Sequence, residues 1–210
     1  MCFSPEASFT AGVVLSAAGL YAMRQTKRRS ALLFAAIPLV FGLQQLAEGV
    51  VWITFGQGQL HACATTTYLV FAKAAWPLLV PLAVYFLETN FKRRKLILPL
   101  VVLGAATSAY LLWHVLRYPF TAHIVGPGLG YYASEPYPFT PAPFYFLATS
   151  FALLLSSRKV VNALGIATFV AAAIAAYLYT QSFLSTWCFF SALLSIFVLV
   201  QVRRESGKGK

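Results

Sequence analysis

Polar side chains occur at helical spacing within one apolar segment of the chain. Gln44 and Glu48 are four residues apart, and Gln45, Glu48 and Trp52 follow one another at i, i+3 and i+7. In an α-helix these spacings place two amides, a carboxylate and an indole on one face. Because lipid solvates such a face poorly, we expect it to point into a helix bundle. A polar face of this kind predicts one of three functions: proton or cation binding, acid–base chemistry, or recognition of a ligand. The structural alternative is a hydrogen-bond network that fixes helix packing.

A lysine lies within the next apolar segment. Lys73 occurs in the sequence LVFAKAAWPLLVPLAV, where a cation is costly unless it is paired or hydrated. Glu48 is the only carboxylate well inside an apolar segment. The sequence therefore predicts a Glu48–Lys73 salt bridge between neighbouring antiparallel helices. The pair would be either a static structural feature or a charged site that binds an anion or transfers protons.

The cysteines and histidines form a second candidate set. A disulfide is predicted as Cys63–Cys188 or Cys2–Cys188, since all three cysteines fall on the same side under the topology given below. The alternative is a metal site with Cys2, His61, Cys63 and Cys188 as candidate ligands, although the spacings CxxC, HxxxH and HExxH are absent. The chain contains no Asp, which disfavours most two-carboxylate mechanisms. No cofactor and no catalytic residue is identified.

The elements that position these groups are long apolar segments. The 210 residues are 60% hydrophobic and 10% charged, with a mean hydropathy of +0.73, and a soluble domain exposes more charge than this. We predict an all-α membrane protein, a seven-transmembrane-helix bundle without strands. The predicted segments are 6–23, 31–53, 63–87, 96–116, 143–156, 160–179 and 183–202.

Basic residues fall in alternate connections and account for most of the net charge of +11. By the positive-inside rule the N-terminus is outside and the C-terminus cytoplasmic, in a multi-pass protein of the cell inner membrane. The predicted partner is the lipid bilayer, whose anionic headgroups these residues can contact, and nucleic acid is not expected. The clusters are Arg24, Lys27, Arg28 and Arg29; Lys92, Arg93, Arg94 and Lys95; Arg158 and Lys159; and Arg203, Arg204, Lys208 and Lys210.

Several residues predict local features of the helices. Ser4 followed by a proline and a glutamate is typical of a helix N-terminus. Pro38, Pro77 and Pro81 lie inside apolar segments, where each removes a backbone hydrogen bond, favours a kink and frees carbonyls. Gly49 permits the close approach of a neighbouring helix.

We expect one domain, 1–202, followed by a basic cytoplasmic tail, 203–210. The connection 118–142 is rich in proline, glycine and aromatic residues and contains no Lys or Arg. We interpret it as an ordered cap over the outer mouth of the bundle; the alternative is an interfacial tether between two helix ends.

Four segments of the chain carry a resemblance to a known family. MCFSPEASF, QQLAEG, AKAAWPLLVPLAV and STWCFFSALLS together resemble an uncharacterised family of small prokaryotic multi-pass membrane proteins that begin Met-Cys-Phe-Ser and have no assigned activity. The helix plan is also similar to that of alkaline ceramidases and receptor-like hydrolases, but their zinc motif is missing here. The family resemblance selects, without giving them a role, Cys2, Gln44, Gln45, Glu48, Trp76, Pro77, Trp187 and Cys188.

These observations predict a polar intramembrane pocket, open to the outer side, that binds or translocates a small ligand, an ion or a lipid-like molecule. Two alternatives stay open. One is a membrane-embedded metal-dependent hydrolase or redox enzyme that uses Cys188, Cys2 and a histidine. The other is an accessory structural subunit of a homo-oligomer or a larger membrane complex. The candidate ligand-binding residues are Gln44, Gln45, Glu48, Trp52, Lys73, Trp76, Trp187 and Cys188.

Overall fold

The computed structural model describes residues 4–126 and 128–207, which form seven helical segments and one β-hairpin. Six of these helices are long and apolar enough to cross a membrane, whereas the fifth is shorter. The helices follow the predicted apolar segments closely. In chain order, the helices and the two strands of the hairpin are α1 Pro5–Gln25, α2 Arg29–Ile53, α3 Gln59–Leu87, α4 Phe91–Arg117, β1 Phe120–Val125, β2 Gly128–Ala133, α5 Ala142–Leu154, α6 Lys159–Leu178 and α7 Thr180–Glu205.

Side-chain caps set the beginnings of two helices. The Ser4 hydroxyl accepts a hydrogen bond from the Ala7 amide at 3.2 Å, which confirms the predicted cap of α1. The Asn90 side chain accepts from the amides of Lys92 at 3.0 Å and Arg93 at 3.3 Å. Because of this cap, α4 begins at Phe91, just before the basic sequence KRRK and five residues before the apolar segment predicted to start at 96.

Two of the three prolines, Pro38 and Pro77, follow irregular turns of their helices. Helix α2 is interrupted at Ala36, two residues before Pro38. In α3 a π-helical turn, Val70–Ala75, precedes Pro77. Carbonyls of this turn bind side-chain hydroxyls of other helices: Ala72 accepts from Tyr145 at 2.8 Å, and Ala74 accepts from Ser108 at 2.6 Å.

Glycines allow α1 and α2 to pack closely along most of their length. A Cβ atom on Gly49 would lie 2.9 Å from the Phe9 ring, which confirms the predicted close approach at Gly49. A Cβ atom on Gly19 would overlap the backbone of Leu39. Small residues that let backbones meet in this way are typical of helix pairs in membranes.

The connection after α4 contains an antiparallel hairpin, which is an addition to the otherwise all-α fold that the sequence analysis did not predict. Phe120 pairs with Ala133, and Val125 pairs with Gly128 across a turn in which Gly126 has a φ of +56°. Phe120 and Leu129 are buried in a core cluster shared with α2, α3, α4 and α7. The hairpin is therefore packed into one end of the bundle, which we call the hairpin end; the basic connections lie at the other, the basic end.

Because α5 is short, the segment between the hairpin and α5 can contact residues in the interior of the bundle. Helix α4 has 27 residues, or about 40 Å by helical rise, whereas Ala142–Leu154 spans only about 20 Å. Residues 134–141 continue from β2 to α5 over this missing length. A side chain of this segment can therefore contact residues far down the longer helices.

Large apolar side chains are exposed around the outside of the bundle. A single exposed leucine is ordinary in a soluble protein, but a belt of them across several long helices favours an apolar surrounding. Examples are Val13, Val14, Val102, Leu116, Ile166 and Phe169.

Candidate functional site

The predicted polar face of α2 is buried. Gln44, Gln45 and Glu48 are each 0% exposed. The Glu48 carboxylate accepts hydrogen bonds from the Ser185 hydroxyl of α7 at 2.5 Å, the Tyr131 hydroxyl of β2 at 3.3 Å and the Gln45 side-chain amide at 3.4 Å. This carboxylate therefore joins α2, α7 and the hairpin.

Gln44 lies one helical turn from Glu48 and makes a different contact. Its Oε1 accepts a hydrogen bond from Trp76 Nε1 of α3 at 2.6 Å. The Trp76 indole stacks on Phe41 of α2, with 3.9 Å between ring centroids and 24° between planes. This arrangement fixes both the Trp76 ring and the orientation of the Gln44 amide, whose nitrogen then faces away from the indole.

The predicted Glu48–Lys73 salt bridge is wrong. Lys73 Nζ instead donates a hydrogen bond to the Tyr137 hydroxyl at 2.7 Å. It also lies over two rings, 4.6 Å from the centroid of Phe120 and 5.0 Å from that of Tyr137. A desolvated cation over aromatic faces is stabilised by about 2 kcal/mol. The connection after α4 supplies both rings, and no local spacing in the sequence indicates this pairing.

His114 joins the same group and was not predicted as a site residue. It is 0% exposed and stacks on Tyr137 with a centroid separation of 4.0 Å. Its ring makes no hydrogen bond to a described side chain, and the backbone group nearest to it is that of Pro136. Burial, and to a smaller extent the neighbouring Tyr110, raises the pKa of Tyr137 well above its usual range, so this hydroxyl stays protonated beside Lys73.

The cysteines do not form the predicted Cys63–Cys188 disulfide, because Cys63 is an exposed free thiol of α3 and Cys188 is a buried free thiol of α7. Cys2 lies outside the described residues, and so do the predictions made for it. His61 contacts Thr54 and the Phe55 ring. Over residues 4–126 and 128–207, no three His, Cys, Asp or Glu side chains are placed to hold a metal ion.

The two remaining candidates, Trp52 and Trp187, lie apart from each other. Trp187 of α7 is buried, donates its Nε1 to the Thr168 carbonyl of α6 at 3.3 Å, and stacks on Phe146. Trp52 is half-buried and packs edge-on against Phe55 near the hairpin end. Among the eight predicted ligand-binding residues, Gln45 and Glu48 share a direct bond and Gln44 and Trp76 share another.

Cys188 connects the polar cluster to an internal cavity of about 50 Å³. The thiol lies beside the Gln44 amide and near Glu48. The Gln44 nitrogen has no oxygen acceptor among the described residues, and a thiol is a weak acceptor. The buried Ser191 hydroxyl on the cavity wall also lacks a hydrogen bond within the described part of the chain. The cavity is lined by Ile37, Phe41, Trp76, Val80, Tyr145, Thr149, Leu153, Leu164, Thr168, Trp187, Cys188, Ser191 and Ser195.

A second buried carboxylate, at the basic end, also escaped prediction. Glu88 follows the last residue of α3 and is 2% exposed. It accepts hydrogen bonds from the amides of Thr89 and Asn90 and from both the amide and the hydroxyl of Ser157. Burial raises the pKa of Glu88, but these bonds and the nearby charge of Arg158 outweigh it, and the net pKa lies below the usual value. The carboxylate therefore ties α3 to the connection between α5 and α6.

The fold and the comparisons define the class of this protein. It is a helical protein with six helices that are long and apolar enough to cross a membrane and a buried polar cluster beneath a hairpin. The chain belongs to the family described as "Family of unknown function (DUF6629)", whose model matches residues 1–210. No curated protein and no solved structure matches the chain.

Proposed function

We propose that this chain is a multi-pass membrane protein that binds a small lipid-like molecule inside its helix bundle. The observation that carries the proposal is the cavity between α2, α3, α5, α6 and α7, which borders the polar cluster at Cys188. Its walls are mostly aromatic and aliphatic, with hydroxyls at a few positions. Sites with this combination bind apolar molecules and orient them through a small number of polar groups.

The polar end of the ligand would lie beside Cys188. There the Gln44 nitrogen is a donor without an oxygen acceptor among the described residues, and the Ser191 hydroxyl is available on the same helix as Cys188. Glu48 acts on this region through Ser185, which lies three residues from Cys188 on α7. Because the cavity holds about 50 Å³, only part of a ligand fits without movement of the walls. The aromatic side chains of α5 and α7 would shift to admit the rest.

The hairpin forms the roof of this site. Tyr131 reaches Glu48 from β2, and Leu129 and Phe120 pack between the helices. Movement of the hairpin would therefore expose the polar cluster to the hairpin end. This connection between the roof and Glu48 supports binding, and also the release or transfer of a ligand at that end.

The proposed orientation places the hairpin end outside the cell and the basic end in the cytoplasm, because the Lys and Arg clusters lie at one end. In a Cys2→Ser, Cys63→Ser background, we expect Gln57→Cys to react with a membrane-impermeant maleimide in intact cells. Lys92→Cys should react only after permeabilisation. Both positions are exposed, one at each end, and Cys188 is buried. The reverse labelling pattern would invert the proposed topology.

The cavity can be tested with its own tryptophans. Trp76 and Trp187 line it, and Trp52→Phe and Trp113→Phe remove the other two indoles of the chain. In this background we expect a brominated long-chain alcohol to quench the fluorescence saturably in detergent. Ser191→Leu places a bulky side chain in the cavity and should weaken this binding about tenfold or more. Quenching that is linear in alcohol concentration, or equal in both proteins, would remove the cavity as the binding site.

Matched variants separate loss of space from loss of polarity. Ser191→Ala keeps the cavity open and removes one hydroxyl, so a loss of about threefold to tenfold is expected. Ala173→Leu adds the same bulk on an exposed face of α6 and should have no effect. Glu48→Gln should weaken binding while the protein stays folded, whereas Glu135→Gln, at an exposed position, should not. Unchanged binding together with unchanged stability in Glu48→Gln would exclude Glu48 from the site.

A further inference from the structure

The basic end of the bundle contains a groove whose charge and shape suit a phosphate group. This groove has a volume of about 610 Å³ and is far from the cavity next to Cys188. Four cationic side chains line it, and they come from three separate parts of the chain. They are Arg28 after α1, Arg158 and Lys159 at the start of α6, and Arg204 on α7.

Acidic groups near the groove are already engaged. Glu205 is the one carboxylate among the described residues that line it. Its Oε1 accepts from Arg158 Nε at 2.6 Å and from Gln201 Nε2 at 2.9 Å. The neighbouring Glu88 carboxylate is turned toward backbone amides and the Ser157 hydroxyl. Four cations against these two carboxylates leave the groove with an excess of positive charge.

Two sets of donors in the groove have no acceptor within the described ranges. Arg158 uses Nε for Glu205, and its buried Nη1 makes no hydrogen bond. Helix α6 begins here without a side-chain cap, and the amides of Lys159 and Val160 have no backbone acceptor. The positive end of the α6 dipole therefore points to the same place as the guanidinium group.

We propose that this groove binds a phosphate oxyanion, supplied by the headgroup of an anionic membrane lipid. An arginine, a lysine and free amides at a helix N-terminus form the donor set that phosphate oxygens require. The groove lies at the level where the ends of spanning helices meet headgroups. This inference depends on the proposed membrane placement but not on ligand binding near Glu48.

Native mass spectrometry of the purified chain with dioleoylphosphatidylglycerol tests the proposal. The variant Lys159→Gln, Arg204→Gln removes two lining cations whose side chains make no hydrogen bond within the described residues. A direct charge-assisted contact with a phosphate contributes about fivefold or more, so the double variant should bind this lipid about twentyfold more weakly. The control, Lys92→Gln, Lys95→Gln, removes the same charge at the same end but outside the groove, and it should stay within about twofold.

The remaining arms identify the source of the phosphate. Dioleoylphosphatidylcholine should bind wild type and double variant equally, and millimolar inorganic phosphate should not stabilise wild type against heat. Stabilisation of wild type alone by inorganic phosphate would keep the phosphate site but overturn the lipid as its occupant. Equal losses in the double variant and the control, or no loss in either, would overturn the site itself.

If the double variant fails to fold, Arg28→Gln at an exposed lining position replaces it, and weaker binding of the anionic lipid is again expected. Quenching by the brominated alcohol should be unchanged in these variants, so the two proposals can fail separately.

Discussion

The substitution Gly104→Val is expected to prevent α3 and α4 from packing closely and to lower the stability of the protein by about 3 kcal/mol or more. A Cβ atom on Gly104 would overlap the backbone carbonyl oxygen of Pro77. That carbonyl cannot bond to residue 81 of its own helix, because residue 81 is also a proline. A backbone carbonyl cannot move aside as a flexible side chain can, so the two helices must separate to admit the larger residue. The measurement is the apparent melting temperature of the purified protein in detergent.

A size series at this position makes the result specific. Gly104→Ala should destabilise less than Gly104→Val, because it adds the overlapping Cβ atom without the two methyl groups. Ala105→Val is the matched control, since Ala105 is the next residue of α4 and is exposed. We expect its melting temperature to stay within a few degrees of wild type, or about 0.5 kcal/mol. Equal effects of Gly104→Val and Ala105→Val would show that the contact between Gly104 and Pro77 does not exclude a larger side chain.

Much of the helical framework follows from the sequence because apolar segments of sufficient length have few alternatives. The burial of Gln44, Gln45 and Glu48 also follows, since their spacing puts them on one face that lipid solvates poorly. The caps at Ser4 and the glycine contact at Gly49 are local and were equally predictable. The functional role given to this face stays a prediction.

The pairings of the buried charges could not be predicted in the same way. Lys73 contacts Tyr137, 64 residues away, and Ser157 contacts Glu88, 69 residues away. Both pairings depend on how irregular connections fold over helix ends, which helical periodicity does not determine. The hairpin was missed because β2 has the sequence GLGYYA, whose glycines weaken strand propensity. A buried carboxylate at a helix end, such as Glu88, is also easily mistaken for a solvated loop residue.

Removing the Glu88 side chain is expected to be the second most damaging change. Glu88→Ala leaves the donors of Thr89, Asn90 and Ser157 without their common acceptor at a buried position. A hydrogen bond to a charged group contributes about 1.5–3 kcal/mol, and bonds that share one carboxylate do not add, so a loss of about 3 kcal/mol or more is expected for the set. Glu88→Gln keeps one acceptor oxygen but turns an amide toward a donor, and it should lose about 2 kcal/mol. Glu135→Ala removes an exposed carboxylate and should be neutral.

The acid dependence of stability distinguishes a carboxylate from a neutral acceptor at this position. The pKa of Glu88 in the folded protein lies below its usual value of 4.5. Its contribution is therefore complete above about pH 4.5 and is lost as the pH falls through the folded-state pKa. The stability difference between wild type and Glu88→Gln should be constant near neutral pH and should shrink in acid. A difference that persists unchanged in acid would mean that Glu88 acts through its shape and not its charge, and that Ser157 and the start of α6 are held by packing alone.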